Sequence, residues 1–498
     1  MTSCNNSFMT SNAISPCQQF PWNDTAPSHV DVAIVGGGFS GLVALVHLCR
    51  ALPSGKFAVI ECHPRRAPGV AYGGCDQEHL LNVPAGRMGP IADDMGSFHR
   101  WLDARMPGKF RADSFAPRAL FGVYLTDFVL DEVARSGAHV SFVRGAVIDV
   151  RDAHSQVELT VVTSGDASHQ GAHHQTIVAQ CAVIAPGVPA SPAPWAHIQR
   201  DVPSVALISD PWESGSLHGI DPDADILVLG SGLTAIDIVE GLRRAGHRGT
   251  IRMLSRNGRL PLPHADHGEP PLSMTKEQFT GSPAKVLSAL RAAARQRMAG
   301  GLGWQGVIDA VRPHIPAIWK SWTASERRRF IRRARALWEI HRHRVPVQVL
   351  ADITAQRQAG TLHIERGELL AVNSTASGNV AASVRGSDGV THVHVVARVI
   401  NCIGPAMDIR HTIDPLLGAM QRSGIATTDE LGLGIRSDDD CRLMNANGVP
   451  HQRVVIAGAL RRGDLWESTA VPDLRVHAAR AAATLLAQLA GQQTKGRN

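Results

Sequence analysis

The chain has 498 residues, of which 44% are hydrophobic, and this is enough apolar material for two domains with separate cores. A formal net charge of +6 favours small anionic ligands over nucleic acid, and no apolar run reaches the ~18 residues that would cross a bilayer. The eight cysteines form no C-x-x-C pair, which argues against a zinc site or a local redox dithiol and fits a reduced cytoplasm.

The first segment, residues 1–29, contains many Ser, Asn, Thr and Pro residues and neither Lys nor Arg. It has no charged n-region and no apolar h-region, so it is not a signal peptide. We expect this segment to be a flexible arm that precedes the first domain.

The strongest signal lies in Asp31–Glu61. A β-branched, apolar run predicts a buried strand at Val32–Val35, an apolar helix follows at Leu42–Leu52, and a second strand ends in Glu61. Three glycines in the spacing G-x-G-x-x-G connect the first strand to the helix: Gly36, Gly38 and Gly41. Such glycines allow a tight turn, a close pyrophosphate and close helix packing, while the acid accepts hydrogen bonds from free ribose hydroxyls. The stretch therefore predicts a site for FAD or NAD rather than an ordinary glycine-rich turn.

A glycine-rich loop with little predicted regular structure follows at residues 64–89. Long loops in compact domains are commonly functional, and this one directly follows the ribose acid. Its embedded polar residues, His79, Asn82 and Arg87, are therefore candidates to line the ligand. The alternative is a surface loop with a few buried anchors.

A second nucleotide-binding pattern begins at Asp225. The strand Ile226–Leu229 leads into a glycine turn and a helix, whose candidate cofactor-binding residues are Gly230, Gly232 and Thr234. The next strand ends without a carboxylate and is followed by Arg256. An arginine at this position can pair with a 2′-phosphate, which predicts NADP(H) over NAD(H); a surface arginine in a turn is the alternative.

A helical insertion interrupts the α/β pattern at about residues 265–346, and its last helix, at Ser325–His343, is dense in arginine. Apolar residues recur on this helix at helical spacing, so a solvated basic face is favoured over a nucleic-acid surface. The cationic run His341–Arg344 is a candidate for binding an anionic group of NADPH or substrate.

These features predict an α/β fold with two Rossmann-like dinucleotide-binding domains, β-meanders and a helical insertion. Two similar apolar strands, CAVIAPG and VINCIGP, mark the places where the chain crosses between domains. The predicted FAD domain comprises residues 30–205 and a return segment at 405–498, and the predicted NADP(H) domain comprises residues 206–404. No metal site is predicted.

With these features placed, the chain resembles the FAD/NAD(P)-binding flavoproteins with two dinucleotide-binding domains, and it is similar to class B flavin monooxygenases and amino-acid N-hydroxylases. Four motifs carry the resemblance: G-V-A-Y-G, H-L-L-N-V-P-A, a tryptophan helix ending in H-R-H-R, and L-W-E-S-T-A-V-P-D. They stand at Gly69–Gly73, His79–Ala85, Trp338–Arg344 and Leu465–Asp473. One departure is Ala185-Pro186-Gly187, where relatives usually carry Ala-Thr-Gly.

The resemblance implies that the first three glycines and Glu61 hold the adenosine and pyrophosphate of FAD. It also implies that the segment around His79 and Asn82 approaches the flavin, and that Gly458 and the Trp466 region close the far end of the cofactor. Asn82 and Arg87 are the catalytic candidates, Asn82 for a hydrogen bond near the flavin and Arg87 for an acidic substrate or NADP.

The leading hypothesis is an FAD- and NADPH-dependent monooxygenase that forms a C4a-(hydro)peroxyflavin and oxygenates a small polar substrate such as an amine. One alternative is a flavin reductase or dehydrogenase that passes electrons to a quinone, a metal or a protein partner. A second alternative is a nucleotide-binding redox sensor with little turnover. The expected partners are a small-molecule substrate and molecular oxygen, and neither nucleic acid nor a membrane is expected. The sequence does not decide between a monomer and a homo-oligomer.

Overall fold

The structure is a computed structural model that describes residues 18–73, 79–153, 155–164, 172–265, 270 and 272–495. None of the helices within these residues is long and apolar enough to cross a membrane.

The strands in chain order are β1 (His29–Val35), β2 (Lys56–Glu61), β3 (His139–Arg144), β4 (Ala146–Ala153), β5 (Gln156–Ser164), β6 (Ala172–Ile184), β7 (Gln199–Arg200), β8 (Leu207–Ile208), β9 (Ile226–Leu229), β10 (Ile251–Ser255), β11 (Leu362–Ser374), β12 (Val380–Gly386), β13 (Thr391–Val396), β14 (Arg398–Asn401), β15 (Arg442–Met444) and β16 (Pro450–Ile456). The α-helices are α1 (Phe39–Ala51), α2 (Ser97–Arg105), α3 (Arg118–Ser136), α4 (Leu233–Arg244), α5 (Pro283–Ala299), α6 (Gln305–Val311), α7 (Ile315–Ser321), α8 (Ala324–Arg333), α9 (Arg335–Arg342), α10 (Val347–Gln358), α11 (Pro415–Arg422), α12 (Arg462–Leu465) and α13 (Val471–Lys495).

The chain forms two compact units. Unit 1 comprises Met1–Gln77, Val83–Val188 and Asp408–Asn498, and unit 2 comprises Glu78–Asn82 and Pro189–Met407. Unit 1 is therefore assembled from segments that are far apart in the sequence, whereas most of unit 2 is one continuous stretch.

The sheet of unit 1 has the order β15-β16-β6-β1-β2-β3. Its centre is parallel: β1 pairs with β2 and with β6, so that Val32 lies between Phe57 and Cys181. All three side chains are fully buried, as expected for a parallel sheet that is covered on both faces. The first half of β6 pairs with β5 in an antiparallel meander. This long strand therefore connects the meander to the parallel centre of the same sheet.

Helix α1 is apolar on nearly every face because it is buried on nearly every face. It packs against α3 and α13, and its inward residues Leu42, Leu45 and Leu48 have no exposed surface. The C-terminal return supplies α13 and also β16, which pairs in parallel with β6. This return segment thus completes the sheet and the helix packing of unit 1.

Part of the segment that was expected to be a flexible arm packs on this sheet. Asn23 forms a parallel bridge with Val143 of β3, and its amide donates to the carbonyl of Phe142 at 3.0 Å. Phe20 and Trp22 form an aromatic cluster with Phe142, at ring-centroid distances of 5.0 and 5.4 Å. Aromatic burial therefore anchors residues 20–23, which composition alone did not indicate.

The sheet of unit 2 has the order β13-β12-β11-β10-β9-β14-β8. Strand β9 is central and parallel to both neighbours, so that Val228 lies between Met253 and Ile400. Strand β11 runs parallel to β10 at its start and antiparallel to β12 further along, which joins the predicted meander to the nucleotide-binding half.

The helical insertion contains α5 to α9, and its basic segment differs from the prediction. One helix was expected at Ser325–His343, but the structure divides it at Ala334, where φ is −120°. The break allows both Phe330 on α8 and Trp338 on α9 to be buried. The arginines of α8 at positions 328, 329, 332 and 333 are exposed, which agrees with a solvated basic face.

Candidate functional site

The first glycine turn, Gly36–Gly41, has no room for larger residues. Gly36 has a φ of +105°, and a Cβ atom added there would lie 2.2 Å from the carbonyl oxygen of Ala185. A Cβ at Gly41 would lie 2.1 Å from the carbonyl oxygen of Gly36. Both contacts are with backbone, which cannot move aside as a flexible side chain can, so these positions require glycine.

The N-terminus of α1 is open to an anion. Gly38 is the N-cap and supplies no side-chain hydrogen bond, and the first turn has no acidic residue among the described side chains. Gly38 and Gly69 approach each other, since a Cβ at Gly38 would lie 3.8 Å from the Cα of Gly69. Free helix amides, the helix dipole and close backbone fit the pyrophosphate of a dinucleotide.

Glu61 is held in place at the end of β2. One carboxylate oxygen accepts from the amide of Gly37 at 2.8 Å, and the other accepts from the amide of His63 at 2.8 Å. The side chain is half-buried; Oε1 also accepts from Sγ of Cys62 at 3.6 Å, whereas Oε2, which accepts from Gly37, has a further lone pair for a ligand. A carboxylate fixed this way fits the paired hydroxyls of an unphosphorylated ribose.

Gly458 lies at the same turn. It follows β16 with a φ of +91°, and a Cβ there would lie 2.9 Å from Oγ of Ser40 in the first turn of α1. The structure therefore brings Gly458 together with the first glycine turn, within unit 1. Trp466 is buried in the same unit and has a φ of +60°, with the guanidinium of Arg462 5.0 Å from the centre of its ring.

The three candidate residues of the loop at 64–89 belong to different units. Arg87 lies in unit 1 in a short 3-10 helix, and its side chain is exposed. Its carbonyl and that of Gly89 accept from the buried guanidinium of Arg475, at 3.0 and 2.6 Å. Arg475 thus fixes the backbone of this loop, a role for which the sequence carried no signal.

His79 and Asn82 belong to unit 2. His79 is buried edge-on against Trp212, with a centroid distance of 5.8 Å. The carbonyl of Asn82 accepts from Nε2 of His264 at 3.1 Å. Burial lowers the pKa of His264 to about 4, assisted by the nearby Arg344 charge, so the ring is neutral at pH 7 and donates through Nε2.

The second glycine turn, Gly230–Gly232, repeats the geometry of the first. Gly230 has a φ of +115°, and a Cβ there would lie 2.6 Å from the carbonyl oxygen of Cys402. Gly232 is the N-cap of α4, with open space around it, and Thr234 is half-buried in the first turn. This turn also fits a pyrophosphate.

In unit 2, the strand end that corresponds to Glu61 is flanked by positive charge instead of a carboxylate. Ser255 occupies the end of β10, as Glu61 occupies the end of β2, and its hydroxyl is bonded to that of Ser231 at 2.8 Å. Arg256 follows it, and Arg366 stands beside it in the register of β10 and β11. Both arginine side chains are exposed, and within the described ranges neither has a carboxylate partner.

The cationic run His341–Arg344 is engaged within unit 2. Arg344 is buried and forms an ion pair with Asp309, so its charge is largely offset. The ring of His341 lies 4.8 Å from that of Trp304, and its Nδ1 contacts the carbonyl of Leu337 at 2.7 Å. These contacts favour a structural role for Arg344 over the anion-binding role expected from the sequence.

Residues 33–187 match the family model described as FAD-NAD(P)-binding. This segment contains the first glycine turn and Glu61, so the match confirms the FAD- and NAD(P)-binding assignment for this part of the chain. No curated protein matches the chain.

Solved structures resemble the chain over nearly its full length. The reduced ornithine hydroxylase of Pseudomonas aeruginosa is 16% identical, covers 92% of this chain and 99% of its own, and gives a TM-score of 0.61. The ornithine N-hydroxylase of Kutzneria sp. 744, with reduced FAD, NADP+ and L-ornithine, is 16% identical, covers 93% and 100%, and gives 0.60. The FAD-bound cadaverine monooxygenase of Erwinia amylovora is 14% identical, covers 93% and 95%, and gives 0.61. These similarities confirm the predicted fold.

Proposed function

We propose that the chain is an FAD- and NADPH-dependent monooxygenase that hydroxylates the nitrogen of a small amine. The observation that carries the proposal is the contrast between two otherwise similar glycine turns. Glu61 stands at the ribose position of unit 1, whereas Ser255, Arg256 and Arg366 stand at that of unit 2. An acid suits the free ribose of FAD, and arginines suit the 2′-phosphate of NADPH.

FAD is held in this proposal by the first glycine turn, Glu61 and Gly458, with His79, Asn82 and Trp466 as further contacts. NADPH is held by Gly230, Gly232, Thr234 and Arg256. The corresponding domains are residues 30–205 with 405–498 for FAD, and residues 206–404 for NADPH. Bound FAD would supply the hydride-accepting and oxygen-transfer chemistry that protein side chains lack.

The protein's own residues then bind, orient and exclude water. We assign Asn82 a hydrogen bond near the flavin and Arg87 a contact with an acidic group of substrate or NADP. The bond from His264 to the carbonyl of Asn82 restrains the backbone at this residue and supports such a positioning role. Asn82→Ala should therefore raise the hydrogen peroxide released per NADPH consumed, and unchanged coupling would remove Asn82 from the mechanism.

The amine substrate class is supported by the proteins that share the fold. These proteins are an ornithine N-hydroxylase and a cadaverine monooxygenase, and ornithine and cadaverine each have a terminal aliphatic amine. These chains are no more than 16% identical to this one, so the class is a proposal that chemistry must test.

The test follows NADPH, oxygen and product together. The purified protein is first reduced without oxygen by NADPH or by NADH, and then mixed with oxygen and a panel of diamines, basic amino acids and non-amine controls. We expect faster reduction by NADPH, and one hydroxylated product per NADPH with an amine. Full reduction without any oxygenated product, with rapid electron transfer to a quinone, would replace the proposal with the reductase alternative.

A further inference from the structure

The first residues of the described chain form part of the edge of the unit 1 sheet. Asn23 bridges to Val143, and the amide of Arg144 donates to the carbonyl of Asn23 at 2.7 Å. These bonds fix the backbone beside the carboxyl ends of β2 and β3. In open α/β sheets, ligands bind at the carboxyl ends of the strands.

Trp22 projects from this fixed segment to the ribose acid. A Cβ atom added at Gly37 would lie 3.0 Å from Cη2 of Trp22 and 3.2 Å from Cβ of Glu61. The indole edge and Glu61 thus both lie close to Gly37, the glycine whose amide donates to the carboxylate. The sequence pattern of residues 31–61 does not predict this contact.

The indole is supported by two aromatic rings and keeps part of its surface exposed. It packs edge-to-face on Phe142 and on Phe20, with interplanar angles of 83° and 63°. Phe20 and Phe142 are buried, whereas Trp22 is only half-buried. A tryptophan that is held by other rings, is partly exposed and lies beside a carboxylate is well suited to pack on a base.

We propose that Trp22 packs against the adenosine of the dinucleotide bound at the first glycine turn and shields the hydrogen bonds between Glu61 and the ribose from water. The ligand chemistry is an adenosine diphosphate moiety with a free ribose, which FAD and NAD share. The inference rests on the proposed function only in naming FAD as the occupant.

The test measures binding of FAD, ADP, NAD+ and NADP+ to the full-length apoprotein by calorimetry. Trp22→Ala should weaken FAD and ADP about tenfold, since base stacking on an aromatic side chain is of that order. Trp22→Phe should keep most of the affinity, and NADP+ at unit 2 should be unaffected. Trp101→Phe is the matched control, because Trp101 packs on Arg105 and Phe98 in the same unit, away from Glu61.

Unchanged affinities for FAD and ADP in Trp22→Ala would overturn the inference, as would a lower melting temperature with no selective loss of adenosine ligands. If Trp22→Ala does not fold, the protein and Trp22→Phe are compared by fluorescence. Saturating ADP should then quench the unmodified protein more than Trp22→Phe, and equal quenching would refute the contact.

The inference and the proposed function fail separately. A Trp22 effect on FAD without amine hydroxylation leaves the contact intact and removes the function. A Trp22 effect on NAD+ without FAD binding also leaves the contact and replaces the proposed occupant.

Discussion

Alanine at Arg256 and at Arg366, singly and together, should remove the preference for NADPH over NADH. Arg366 stands opposite Ser255 on the neighbouring strand, about 5 Å away in a β-sheet, and Arg256 follows Ser255 directly. We therefore expect the 2′-phosphate of NADPH bound at the end of β10 to reach both guanidinium groups. NADH has a hydroxyl there and gains little from either group.

The expected size follows from the exposure of both side chains. A charge-assisted hydrogen bond contributes about 1.5–3 kcal/mol, and the lower end applies where water and salt screen the charges. Each single variant should therefore raise the KM for NADPH about tenfold. The double variant should raise it about fiftyfold, less than the product of the two, because both arginines bind one phosphate.

The assay is anaerobic flavin reduction at several concentrations of NADPH and NADH, at low and at high salt. The KM for NADH should change less than about twofold, and salt should weaken NADPH binding in the unmodified protein more than in the double variant. Arg385→Ala is the matched control, since that exposed arginine is paired with Glu368 on the same sheet. Equal losses for NADH and NADPH would refute the phosphate assignment.

Three further predictions concern unit 1. Gly41→Ala should abolish FAD binding and lower the free energy of unfolding by about 1–3 kcal/mol, because its methyl group would overlap backbone; calorimetry and urea unfolding measure both. Burial would lower the pKa of His451, but hydrogen bonds to Asp152 and to the carbonyl of Ile425 outweigh it and raise the pKa. The stabilisation is therefore complete below pH ~6.5 and is lost as the pH rises through the folded-state pKa, so Asp152→Asn should destabilise most at low pH in urea midpoints. Arg475→Met should loosen the loop at Gly89, seen as faster amide exchange there.

Each of these has its own contradicting outcome. Gly41→Ala with unchanged FAD affinity would mean that α1 can move away from the turn. A destabilisation by Asp152→Asn that is constant from about pH 5.5 to 8.5 would mean that His451 does not titrate in this range. If the rate of amide exchange near Gly89 is the same in Arg475→Met as in the unmodified protein, contacts other than those of Arg475 hold the loop.

Local patterns predicted the strands and the helix around the first glycine turn, because these elements follow one another directly in the chain. One βαβ unit contains the strands, the glycines and Glu61, so their spacing in the sequence determines how they are arranged in space. Arg366 could not be found this way, because only the parallel register of β10 and β11 sets it beside Ser255. Trp22 was missed for the same reason, since its position depends on a bridge to β3.

Positive charge in the sequence was a poor guide to which side chains are accessible to an anion. Arg344 lies in a run of cationic residues, which suggested an anion site, yet it is buried and paired with Asp309. Periodicity could not show that the basic helix divides at Ala334, because a break that buries Phe330 and Trp338 depends on the tertiary packing around them. The pairing of Arg344 and the break at Ala334 both depend on contacts with residues that are distant in the sequence, which a local pattern does not show.

The discontinuity of unit 1 has a consequence for the order of synthesis. Most of unit 2 is one uninterrupted stretch, so it can fold while the ribosome is still producing the rest of the chain. The first glycine turn precedes the continuous stretch of unit 2 in the sequence, whereas β16 and α13, which support β6 and α1, follow it. A ribosome-stalled chain that ends before β16 would contain the whole continuous stretch of unit 2 but an incomplete unit 1, so the support of the first glycine turn would be completed only after unit 2 has been synthesised.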